Sequence, residues 1–325
     1  VTSHAFGVSV RQALRERGIS IRAAARALSY DHAYLSRTLA GRQSPSPQLA
    51  ADLDAFLRAE GTLVALAAIT STAADEGRIE RVISRPSRLD GGAVKVLAGI
   101  LAAQRRLDDA LGPASLIPAT QAQAARLRPV LRNARGPHRD ALAAVVAEWV
   151  QFEGWLHASA RLDSAAVPLL TEALELADET DVPALTAQAL NFRGYLARQQ
   201  HRPRAVVRWF LAAYHTPGAH PAQRMGDAAQ AAQGYAMLGL DDEARRLLDE
   251  ASNLHVGDDL PPGTAYWLSP TFQRLNIGLA HLGLREHALA ADHLQAGLSG
   301  LPADQQSAQW TVEYRTALAD AREAA

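Results

Sequence analysis

The sequence predicts an all-α protein: an N-terminal helix-turn-helix bundle followed by a C-terminal α-solenoid of helical pairs. Three observations carry this. Alanine and leucine dominate while aromatics make up only 6%, a balance that favours close-packed helices, because both are strong helix formers and β-branched residues are few. Short apolar-periodic segments, each between a capping residue and a stop signal, crowd the first sixty residues. Beyond residue 139 a glycine-marked pattern recurs about every forty residues, the mark of a repeat architecture.

Helix 1 is expected over about Ser9 to Arg17, stopped by Gly18, the residue type suited to a left-handed C-cap. Ser20 caps a second helix, about Ile21 to Leu28. Ser29-Tyr30 make a turn, Asp31 caps a third helix from about His32 to Ala40, and Gly41 stops it. After the loop from Arg42 to Pro45, Ser46 as N-cap and Pro47 at the first helical position start a fourth helix reaching Leu57. Two helices of about eight residues joined by a turn of about three form a helix-turn-helix. Leu14, Ile19, Ala24, Ala25, Leu28, Leu35, Leu39, Leu49 and Leu53 are the inward positions. Outward on helix 3 remain His32, Ala33, Ser36 and Arg37, which share one stripe.

The segment ISIRAAARALSYDHAYLSRTLAGRQSPSPQLAADLDAFL resembles the helix-turn-helix of Xre-type (lambda-repressor-like) transcriptional regulators, especially the actinobacterial branch with a YLSR…GR…PSP signature. The resemblance covers residues 8–60. It implies that helix 3 enters the major groove of double-stranded operator DNA, with base edges met by His32, Ala33, Ser36 and Arg37. It further implies that Arg42 and Gln43 meet phosphates. Ile21 stands where the family often has Gln, and Ser29 replaces the usual turn glycine. Arginine pairs bidentately with guanine, and Arg11, Arg15, Arg22 and Arg42 supply charge for the sugar-phosphate backbone.

Residues 71–92 read as a partly helical linker, with helix at Arg78 to Ile83. Asp90 caps a helix from about Gly92 to Leu111, which Gly112-Pro113 end, and another follows from about Pro118 to Asn133. The repeat then aligns Gly154, Gly194, Gly234 and Gly278, spaced 40, 40 and 44 residues apart, each followed by an alanine (165, 205, 244, 288). A last helix, about Ala303 to Arg322, is expected to cap the open end. Gly257 to Gly263 reads as one of the extended loops between units. The organisation expected is a DNA-binding domain over residues 1–70, a linker over 71–91 and a repeat domain over 92–325.

The glycine–alanine units resemble the tetratricopeptide repeat. The layout of the chain is similar to that of actinobacterial Xre regulators with such bodies and of peptide-receptor regulators. That resemblance implies a lining of the repeat groove by Glu148, Gln151 and Trp155, by Gln188, Asn191, Tyr195 and Arg198, and by Tyr235, with Phe272, Leu275 and Leu279 at the matching places of the last unit. The amides suit a peptide backbone and Arg198 suits a carboxylate. A peptide or small-molecule effector, and a homodimer, are the partners expected. The same residues also fit inter-helix packing or a merely solvated face, and a protein-interaction scaffold whose head does not read DNA is the alternative function.

Charge adds to the picture. Residues 1–45 hold seven arginines against Glu16 and Asp31, whereas the whole chain has a net charge of −1, so a basic head sits on an acidic body and any polyanion is expected at the head. The absence of cysteine excludes disulfides, a cysteine nucleophile and thiolate metal sites. No phosphate-binding loop, nucleophile elbow or His-Glu-x-x-His motif occurs, so no enzyme activity and no cofactor are expected. His281, His287 and His293, six apart, point round a helix in different directions and are not expected to share a metal. The longest apolar run, Leu63 to Ile69, is far too short for a bilayer span. No signal peptide is visible, and a cytoplasmic location is expected.

Overall fold

The computed structural model describes residues 2–43, 45–59, 63, 64, 67, 73–254, 265 and 267–325. Ser44, most of the apolar run Leu63 to Ile69, the expected domain boundary at residue 70 and the loop Gly257 to Gly263 lie outside them. The described residues are helical, with no strand among them. They group into two compact units: residues 1–112 with 126–141, and residues 113–125 with 142–325.

The first unit opens with α1 (Thr2–Glu16), α2 (Ile21–Ala27), α3 (His32–Leu39) and α4 (Pro47–Leu57). The caps explain the breaks. The side chains of Ser20, Asp31 and Ser46 accept from the backbone N–H of Ala23, Tyr34 and Leu49, satisfying otherwise orphaned donors. Gly18 and Gly41 take positive φ just past α1 and α3. Ser29 does so as well, at 59°, in the turn where a glycine is more usual.

Leu14, Ala24, Ala25, Leu35, Leu39, Leu49 and Leu53 form the core, joined by Phe6, Val10 and Leu57. Ile19 and Leu28 are only half-buried. Helix α1 starts seven residues before Ser9, and this adds Phe6 to the core. It can do so because Gly7 has no side chain: a Cβ there would collide with the backbone carbonyl of Leu39 at the end of α3.

The same unit contains α5 (Ala73–Ser84), a 3₁₀ turn (Pro86–Arg88) and α6 (Gly91–Leu111). Helix α5 is twice the length expected. Its Arg78 pairs with Asp90 at 3.0 Å, while Asp90 also caps α6 by accepting from Ala93 N–H at 2.7 Å. That backbone bond, and then Arg78, hold the Asp90 carboxyl below the usual range. Helix α7 (Pro113–Asn133) begins directly after Gly112, five residues before the expected start, because Pro113 serves as its first residue.

The second unit is a run of antiparallel helical pairs: α8 (Arg139–Ser159) with α9 (Asp163–Asp178), α10 (Pro183–Gln199) with α11 (Pro203–Tyr214), α12 (Pro221–Ala236) with α13 (Asp241–Asn253), and α14 (Pro270–Gly283) with α15 (His287–Gly300). Helix α12 packs on both α11 and α14, so the second, third and fourth pairs share a core.

Each pair turns through one residue in the left-handed region, namely Arg161, His201, Gly239 and Arg285. The next residue bonds back to a carbonyl five positions earlier: Leu162 to His157, Arg202 to Ala197, Leu240 to Tyr235 and Glu286 to His281. This is the Schellman closure of a helix, and it fixes the repeat register. Gly154, Gly194 and Gly278 stand seven residues before their turn residue, but Gly234 stands only five before Gly239. The third unit is therefore two residues out of the glycine alignment, and Ala232 holds the equivalent place.

The alanines that follow the glycines are not all buried: Ala244 is, but Ala288 is exposed, and Ala165 and Ala205 are only half-buried. The glycines make room instead for Leu170, Phe210 and Leu294, whose side chains would lie 2.6–2.8 Å from an added Cβ. Gly234 fits against Val206 and Val207 of the preceding pair. The final helix is not continuous. It breaks into α16 (Ala303–Gln306), a 3₁₀ turn (Gln309–Thr311) and α17 (Val312–Glu323), and α17 packs on α14 and α15.

Candidate nucleic-acid interface

Helix α3 is held from three sides. Leu35 and Leu39 are fully buried, and Thr38 is buried with its hydroxyl donating to the Tyr34 carbonyl. Arg11 donates to the Leu39 carbonyl, tying α1 to the C-terminal end of α3. The Tyr30 hydroxyl donates to Asp52 of α4 at 2.6 Å. That bond, aided by burial, pushes the phenol up to about 12, so it stays a donor at any physiological pH.

With those faces used, His32, Ala33 and Arg37 are exposed and Ser36 is half-exposed. They form the stripe that the spacing predicts. Arg37 reaches Gln43 at 3.4 Å, a long contact that leaves its two terminal NH₂ groups for another partner. Arg22, Arg42 and Gln43 are also exposed. Among the described residues, Arg15, Arg22, Arg26, Arg37 and Arg42 have no ion-pair partner. Arg11 differs from the other candidate phosphate contacts. It is half-buried, and one of its donors is used inside the domain.

The second set of candidate residues is disposed in the opposite way. Gln151 is 2% exposed and reaches the Leu185 carbonyl at 3.4 Å; Gln188 is 2% exposed and its Oε1 has no partner. Trp155 lies against Phe192 and Tyr195, at centroid separations of 5.2 and 4.8 Å, and Trp267 lies tilted to Phe192 at 6.1 Å. Asn191 donates to Asp227 at 2.6 Å. Arg198, 4% exposed, pairs with Glu313 at 2.9 Å, donates to Gln230 and lies over the Tyr195 ring. Glu148 is half-buried. Tyr235 is not the counterpart of Trp155 and Tyr195: by the turn register that place belongs to Gln233, and Tyr235 packs against the cluster around Val206, Phe210 and Leu284. Leu275 and Leu279 are core residues around Tyr314, with Phe272 at their edge.

Three groups escaped sequence reasoning. Asp227 is fully buried, and burial pushes its carboxyl up to about 8 although Asn191 and Gln223 donate to it. The only sequence signal was an acid inside an alanine-rich helix whose one other charge is Arg224. Glu313 and Trp267 cover α10 from far along the chain, which no local pattern reveals. The histidine argument also needs correcting. His281 lies on α14 and His293 on α15, and the antiparallel pair stacks the two rings at 5.4 Å, so a spacing of six along one helix does not apply. No cluster of three metal-ligating residues occurs among the described residues.

With the geometry in place, the comparisons with known proteins bear on the head alone. The model of a helix-turn-helix domain family matches residues 5–67. No curated protein and no solved structure matches the chain. The chain thus has a helix-turn-helix domain at its N-terminus, followed by a repeat-like helical body. Among the described residues no helix is long and apolar enough to cross a membrane.

Proposed function

We propose that the protein is a sequence-specific DNA-binding transcriptional regulator of the Xre type, without enzyme activity and acting in the cytoplasm. Helix α3 enters the major groove; Arg37 and His32 meet base edges, with Ala33 and Ser36 close to them. Arg22, Arg42 and Gln43 meet phosphates. The observation that carries this reading is the exposed stripe of α3 on a rigidly braced helix, flanked by arginines without acidic partners. Bound as a homodimer, the heads would read half-sites about one helical turn apart, roughly 34–36 Å.

The repeat body, which we read as tetratricopeptide-like, carries dimerisation, response to a signal, or both. Arg198 is the natural receptor for a carboxylate, and Glu313 already fills that role. A peptide or small-molecule effector would therefore compete with Glu313 for the same guanidinium.

Selection of binding sites from a random duplex pool tests the reading. A regulator enriches a palindrome-like consensus, and binds it about 10³-fold or more tighter than random duplex at physiological salt. A scaffold with an idle head enriches nothing and shows only weak, sequence-blind, salt-sensitive binding.

A further inference from the structure

The second helical pair of the body is chemically unlike its neighbours. Residues 182–226 contain six arginines (193, 198, 202, 204, 208 and 224) and no aspartate or glutamate. Three of the six are engaged inside the unit: Arg193 with Thr171, Arg198 with Glu313, and Arg224 with the carbonyl and ring of Tyr214. Three others, Arg202, Arg204 and Arg208, surround one hollow of about 460 Å³ at the start of α11, completed by Pro203, Ala205 and Leu238.

Within the repeat body most other exposed arginines of the helical pairs are matched by acids. Four exposed arginines of the other pairs sit beside carboxylates: Arg161 with Asp163, Arg245 with Glu286, Arg246 with Glu250 and Arg285 with Asp241, whereas Arg274 does not. Among the described residues none of Arg202, Arg204 and Arg208 has such a partner. Arg208 is also held beside a further arginine. Arg208 and Arg193 lie over the ring of Trp209, 4.4 and 4.1 Å from its centroid, an arrangement that keeps two guanidiniums near one another despite their repulsion. Arg193 registers the cost: burial and then Arg208 lower its affinity for its proton.

We propose that this hollow is a binding site for a small polyanion carrying phosphate groups. Three arginines lining one small space call for more than a single negative charge, and planar N–H forks match phosphate oxygens. The volume falls within the range of about 300–1,000 Å³ usual for small-molecule sites. Pro203, Ala205 and Leu238 give one wall for the apolar part of such a ligand. The site is independent of the stripe on α3 and makes no use of Arg198.

Titration calorimetry of the full chain with inorganic tripolyphosphate at fixed ionic strength tests this. The wild type is expected to show saturable binding. The Arg202→Ala, Arg204→Ala double variant is expected to bind at least tenfold more weakly, with an unchanged urea-unfolding midpoint, since neither side chain has a partner among the described residues. The corresponding double lysine variant is expected to keep part of the affinity. Absence of saturable binding, or undiminished binding in the alanine variant, would overturn the proposal.

A selected DNA duplex forms the second arm, because its backbone offers the same chemistry. The alanine variant is expected to hold the duplex as the wild type does. Loss of duplex affinity in that variant, with no tripolyphosphate binding by the wild type, would assign the arginines to DNA and sink the small-molecule site. Failure of the DNA-reading assignment is distinguishable, since it shows in Arg37→Ala and leaves tripolyphosphate binding untouched.

Discussion

Helices α3 and α10 each carry a polar stripe beside a buried apolar face, yet the protein treats the two stripes in opposite ways. On α3, His32, Ala33 and Arg37 stay open to solvent, and every bond that fixes the helix is made elsewhere: at its cap, through Thr38, and at the Leu39 carbonyl. On α10, Gln188 and Arg198 are buried, and Arg198 and Asn191 are bonded to Glu313 and Asp227 of the same unit. The lesson is that a polar stripe on a helix says only that something polar will meet it. Whether that partner is another molecule or a distant part of the chain depends on elements the stripe itself does not encode.

If α10 is closed by its own chain, breaking that closure should cost more than removing a helix cap from the head. Glu313→Ala leaves Arg198 buried without its carboxylate. Breaking a buried pair costs about 3–5 kcal/mol, and the partial exposure of Glu313 puts this case near 3 kcal/mol. Urea unfolding measures it. The double variant Arg198→Met, Glu313→Leu should recover most of the loss, because it removes both charges together.

Next in size is the buried carboxylate. With its folded-state pKa raised to about 8 by burial, Asp227 stays protonated while the unfolded chain ionises near 4. Its contribution is therefore fully present below about pH 4 and is lost as pH rises through about 8. Asp227→Asn should flatten that part of the stability profile and raise Tm at pH 8 by on the order of 5 °C, as followed by thermal melts across pH 4–9. An unchanged pH profile would mean that Asp227 meets water or a cation in solution.

Smaller effects belong to the head. Asp31→Ala removes the cap bond to Tyr34 N–H and should cost about 1 kcal/mol in the same denaturation assay. Smaller still, Ser29→Gly relieves a side chain at φ 59°. It should stabilise the head by less than about 1 kcal/mol, since glycine also loses more entropy on folding.

Much of the head was legible because its signals are local. Ser20, Asp31 and Ser46 cap within three residues, and Gly18 and Gly41 stop the helices they follow. The start of α1 was not legible, because the reason Gly7 is tolerated lies across the bundle at Leu39. In the body the helical pairs could be read, but Gly234 offered a false landmark. The turn residues 161, 201, 239 and 285 set the register, and three of them are not glycine. Arg198 was legible as a carboxylate receptor. Its partner was not, since Glu313 lies 115 residues further on.

The open stripe on α3 is tested most directly by one binding measurement: the affinity of the wild type and of Arg37→Ala for the selected duplex and for random duplex, at one salt concentration. The expected result is a loss of about 1–3 kcal/mol on the selected duplex, little change on the random one, and an unaltered unfolding midpoint. Equal affinity and equal sequence preference in the two proteins would contradict it.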